Sequence, residues 1–108
     1  MSGKDKLVLS KMVKYCEDAI KYLKDLDFDT FSSNELLFTF SIFSLSQLGE
    51  LVSNLSDEVK SSNSEIPWSA IKSIRNKIVH DYDGVQYKVI WDTLVNDIPL
   101  LIDQLRRV

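Results

Sequence analysis

The stretch NELLFTFSIFSLSQLGEL, residues 34–51, limits the fold more than any other part of the chain. It carries no charge from Leu36 to Gly49, and its apolar side chains fall on nearly every side of a helix drawn through it. Such a helix must be covered all round, at the centre of a bundle or against another subunit. The uncharged run is too short to cross a bilayer, and its serines, threonine and glutamine are poor company for lipid, so no membrane role is expected. The chain has 108 residues, enough for one domain over 1–108 but too few to enclose that helix easily. A homodimer is therefore expected, with Phe38, Phe40, Ile42 and Phe43 as core or interface residues.

Other segments repeat the helical spacing. Residues 6–26 place Met12, Tyr15, Cys16, Ala19, Ile20, Leu23 and Leu26 on one face. Ser32 and Glu35 fit a capping box that opens the second helix, which then runs to about Lys60. Pro67 suits the first turn of a third helix, and Ile71, Ile74 and Ile78 continue its apolar stripe. Gly84 in DGVQ reads as a stop and turn. A last helix from about Tyr87 to Arg107 is kinked or split at Pro99. With no strand pattern and no repeat, the fold class is all-α: an up-and-down bundle of four main helices.

Net charge is −3, so long nucleic acid cannot be held by bulk charge, and any RNA contact must be local or shared between subunits. Basic residues gather at Lys72, Arg75 and Lys77 and again at Arg106 and Arg107. Cys16 is the single cysteine, which excludes an internal disulfide and suggests a buried thiol. Charges at Lys4, Asp5, Lys6 and Lys11 leave no apolar signal core, and a cytoplasmic protein is expected.

The one histidine lies in RNKIVHDY, residues 75–82. On a regular helix Arg75 and Tyr82 project to nearly the same side, while His80 points about 140° from Arg75. Asn76 and His80 share a face. For Arg75 and His80 to converge, either the helix ends near His80 and the ring swings back, or two chains complete the site. Histidine can serve as acid or base near neutral pH, and arginine offers phosphate a permanent charge and a planar donor fork. RNA supplies its own 2′-hydroxyl nucleophile, so this pair could cleave it without metal or cofactor. A metal site at His80, Asp81 and Asp83 has weaker support. The plain structural reading is a helix C-terminus with a cationic histidine favoured by the helix dipole.

The longer stretch SQLGELV and EIPWSAIKSIRNKIVHDYDGVQYKVIWDTLVNDIPLL resembles the HepT-like branch of the HEPN superfamily. The likeness rests on Gly49-Glu50, Ile66-Pro67-Trp68, Arg75-Asn76 through His80, Tyr82, and Trp91 with Asn96-Asp97-Ile98-Pro99. It implies a dimerising helical bundle that acts as a metal-independent endoribonuclease toxin, paired with a minimal nucleotidyltransferase antitoxin, in some cases as a larger hetero-oligomer. The family motif falls on Arg75, His80 and Tyr82, with Asn76 as the polar residue after the arginine. By resemblance Arg75 and His80 are catalytic, Asn76 and Tyr82 line the site, and Tyr82 accepts AMP from the antitoxin. Glu50, and Gln47 one turn earlier, are candidates to reach the same cleft. Lys77 reads as a surface charge, and Trp68 and Trp91 as core anchors. The alternative is a non-catalytic HEPN module that binds a nucleotide or a nucleotidyltransferase through the same cleft.

Overall fold

The computed structural model describes residues 1–80 and 86–108, apart from the side chains of residues 79 and 80. Among the described residues the chain is all-α, as the spacing predicts. Helix α1 (Gly3–Ile20) is followed by a short α2 (Phe28–Ser32), the central α3 (Glu35–Val52), a short α4 (Asp57–Ser62) and α5 (Trp68–His80). The last helix is assembled from α6 (Tyr87–Asp92), a π-helical turn (Thr93–Asp97) and α7 (Ile98–Arg106). Helix α3 packs between α1 and α5, and α7 also packs on α1. At 18 residues α3 is long and apolar enough to cross a membrane, longer than the uncharged run alone suggested. Its apolarity has a nearer cause: Phe38, Ile42, Leu45, Leu48 and Val52 are buried inside the bundle.

Local polar side chains shorten the helices relative to the sequence expectation. Helix α1 stops at Ile20 rather than near Leu26; Leu23 and Leu26 still pack inward, from turns closed by their N–H bonds to the Ile20 and Leu23 carbonyls. Asp25 takes φ 64°, a left-handed conformation that ends the turn. Asp27 then caps α2 by accepting from the Thr30 N–H at 2.8 Å. Ser32 and Glu35 do not form the expected capping box. Asn34 is the cap of α3, accepting from the Leu37 N–H at 3.0 Å, while the Ser32 and Ser33 hydroxyls donate to the Asp29 carbonyl. The second helix also ends early, at Val52 instead of about Lys60. Ser56 restarts the chain as the α4 cap, accepting from the Val59 N–H, and its own N–H and hydroxyl donate to buried Asp5 at 3.0 and 2.9 Å. These two bonds tie the start of α1 to the α3–α4 turn. They also hold the Asp5 carboxyl below its usual range, the Ser56 N–H being the main cause.

Pro67 precedes α5 and supplies the carbonyl that accepts from the Ile71 N–H, one position earlier than expected. Pro99 divides the last helix as foreseen. It stands in the first turn of α7, where a missing N–H costs nothing, and the widened π turn ahead of it absorbs the lost bond. Trp91 stacks on Phe31 with ring centroids 5.1 Å apart. The Trp68 indole donates to the Lys60 and Asn63 carbonyls at 3.2 and 3.1 Å, so both tryptophans are structural anchors. Cys16 is fully buried, and desolvation pushes its thiol up to about 12. Iodoacetamide at pH 8 is expected to leave the folded protein unlabelled and to modify one thiol per chain in denaturant; labelling of the native protein would contradict this burial.

Candidate active site

Helix α5 carries Arg75, Asn76 and His80, and its apolar face decides which way Arg75 points. Ile71 and Ile78 are buried, and this turns Arg75 toward the α3 edge of the core and leaves Lys72 and Lys77 exposed. Helices α3 and α5 approach closely at Gly49. A Cβ there would collide with the Arg75 Cβ and lie 3.0 Å from both the Arg75 Cγ and the Ile71 carbonyl oxygen. A glycine inside a helix normally costs about 1 kcal/mol against alanine. Here its missing side chain is the space in which the Arg75 stem lies.

The neighbouring residue completes the contact. Glu50 Oε2 accepts from Arg75 Nη2 at 2.8 Å, and Asn76 Oδ1 accepts from Arg75 Nη1 at 3.0 Å. The guanidinium is thus held from two helices, and among the described residues only two of its five N–H donors are engaged. Both partners reach solvent, with side-chain exposures of 30% for Arg75 and 54% for Glu50. A pair this exposed contributes only about 0–1 kcal/mol to stability. Its effect is to aim the arginine, and an incoming phosphate can compete for the remaining donors.

Of the residues expected at the site, Arg75, Asn76 and Glu50 converge. Gln47 lies one turn before Glu50 on the same face of α3, and among the described residues no hydrogen bond links it to Arg75 or Glu50. The backbone of His80 is the last described position of α5. The His80 side chain, and the expectations for Tyr82, Asp81, Asp83 and Gly84, lie outside the described residues. The role of Gly49 in seating the arginine was not foreseen. Its signal was a glycine within an otherwise apolar helix, next to a lone acid.

The four aromatic and aliphatic candidates on α3 divide. Phe38 and Ile42 belong to the core, whereas Phe40 and Phe43 face outward. Leu36, Phe40, Phe43, Gln47 and Glu50 recur at alternating spacings of four and three, forming one stripe that leads to Arg75. Leu36 is 83% exposed and Phe43 54%.

Fold and site together define a small helical bundle that presents an oriented guanidinium on its surface, on the helix that also carries the one histidine. A family model described as Ribonuclease HepT-like matches residues 12–108. The chain belongs to the HepT-like ribonuclease family. It is 34% identical to "Putative RNase" of Caldanaerobacter subterraneus subsp. tengcongensis over 93% of this chain and 89% of that one. "Probable ribonuclease HepT" of Thermococcus cleftensis is 31% identical over 75% of this chain and 74% of its own. A "Putative RNase" of Methanocaldococcus jannaschii is 29% identical over 93% and 83%. No solved structure matches the chain.

Proposed function

We propose that the protein is a metal-independent endoribonuclease and works as a homodimer. The observation that carries this reading is the Arg75 guanidinium, fixed by Glu50 and Asn76 at an accessible surface on the same helix as His80. In the proposed reaction the RNA 2′-oxygen attacks the adjacent phosphorus and the bond to the 5′-oxygen breaks, leaving a 2′,3′-cyclic phosphate. His80 takes the 2′-hydroxyl proton or supplies the proton to the departing 5′-oxygen. Arg75 binds the phosphate and stabilises the charge that builds on the phosphorane, and Asn76 keeps the guanidinium in register. Two copies supply two histidines, enough for one acid and one base. The exposed Leu36–Phe40–Phe43 stripe favours this arrangement, because a second copy laid along it would meet the first beside Arg75.

The same reading makes the chain the cytoplasmic toxin of a toxin–antitoxin pair. A minimal nucleotidyltransferase would transfer AMP to Tyr82, adding a phosphate and bulk where RNA should lie and so silencing the enzyme. Purified protein is expected to cleave RNA in excess chelator, and His80→Ala to lose about 10²–10⁴-fold in rate. Equal cleavage by wild type and His80→Ala would refute the assignment. If neither cuts RNA, a non-catalytic nucleotide-binding module is the better reading. Mass spectrometry after co-expression with a minimal nucleotidyltransferase should show one or more AMP increments on Tyr82, and none on Tyr82→Phe.

A further inference from the structure

The flank of α5 turned away from Arg75 borders a groove that the described residues leave unfilled. Helix α5 packs almost entirely on α3, so it stands apart from the last helix. The space between them holds a hollow of about 260 Å³, walled by Leu45 and Leu48 of α3, Ala70, Ile71 and Ile74 of α5, and Ile98 and Leu101 of α7. Ile74 and Thr93 also line a smaller hollow, so the groove continues along α5 toward Lys77 and Gln86. At the opposite end it is closed where Gln104 Nε2 reaches the Glu65 carbonyl at 3.5 Å. Leu100, 58% exposed, and the exposed Ala70 stand on its two lips.

The walls specify the occupant. An extended peptide would bring unpaired N–H and C=O groups against mostly apolar walls, where the Thr93 hydroxyl has already given its one proton to the Val89 carbonyl at 2.9 Å. A helix satisfies its own backbone and needs only an apolar face. The hollow is smaller than most enclosed ligand pockets, and its size suits one or two aliphatic side chains from such a face. The charged residues around the main hollow are Glu65 and Asp97, both acidic and exposed, and Lys77 lines only the smaller hollow beyond Ile74. The 13 residues of α5 give a bed about 20 Å long.

We infer that this groove docks an amphipathic helix from a partner protein, with aliphatic side chains at i and i+4 and lysine or arginine beside Glu65 and Asp97. The contact lies on the opposite flank of α5 from the guanidinium, so it does not depend on RNA cleavage or on self-association through the α3 stripe.

Fluorescence anisotropy with the full chain tests this, using a labelled synthetic alanine-rich helix about four turns long that carries leucines at those positions and flanking lysines. The lysine–leucine peptide should bind at least about tenfold tighter than one with glutamates for lysines or one with serines for leucines. Ala70→Arg and Leu100→Arg, both at exposed positions, should each weaken binding by about tenfold or more without lowering Tm. The inference is overturned by absence of saturable binding up to about 1 mM, by equal binding of the three peptides, or by binding indifferent to both substitutions. A smaller oligomer of either variant in sedimentation velocity, with no peptide present, would show that a second copy fills the groove, and would overturn it as well.

Discussion

Arg75→Ala is expected to reduce the single-turnover rate of RNA cleavage by about 10²–10³-fold, the usual cost of deleting one preorganised group from an oxyanion-type site. Tm should move little, because the Glu50 pair is exposed and contributes only about 0–1 kcal/mol. Arg75→Lys keeps the charge but has neither the planar fork nor the reach to bond Glu50 and Asn76 together, so it should recover only part of the rate. Glu50→Gln separates aiming from charge. Its amide oxygen can still accept from Nη2, and a modest rate loss with tighter RNA binding is expected once one anion is removed from the phosphate's surroundings. Cleavage rates within twofold of wild type for Arg75→Ala would exclude the guanidinium from the reaction.

Gly49→Ala should destabilise the protein by about 1–3 kcal/mol, a drop in Tm on the order of 5–15 °C. Helix propensity alone predicts the opposite sign, a gain of about 1 kcal/mol. The steric effect should win because the new Cβ meets the Arg75 Cβ and the Ile71 carbonyl, and neither is the far end of a flexible side chain. Relief requires α5 to move off α3, which carries the guanidinium with it. A displacement of about 1 Å at a catalytic group can cost about 10²-fold, so rate and stability should fall together. Gly3→Ala is the control: a Cβ there meets nothing within 4 Å, and Tm should hold or rise slightly. Unchanged or increased Tm for Gly49→Ala would show that the two helices are not locked at that point.

These two substitutions also show how far the sequence could be read. Arg75 and Asn76 were singled out through the family motif, and Glu50 stood only as a candidate; the bonds that join the three became visible in the packing of α3 on α5. Gln47 was placed on the right face without a bond to the arginine, since face follows from helical period but contact depends on side-chain conformation. The element ends were read less well. The expected capping box at Ser32 gave way to Asn34, and the expected second helix broke at Ser56, where a bond to Asp5, 51 residues earlier, competes with helix continuation. No local pattern encodes a partner that distant.

The sequence by itself determined the all-α class, the central apolar helix, the break at Pro99 and the motif on α5, because each follows from period, polarity or backbone chemistry within a few neighbouring residues. Tertiary structure alone decided that Gly49 makes room for Arg75, that Phe38 and Ile42 turn inward while Phe40 and Phe43 face out, and that α5 leaves a groove beside the last helix. Those outcomes depend on how closely separate helices approach, and that distance is set by packing across the whole core.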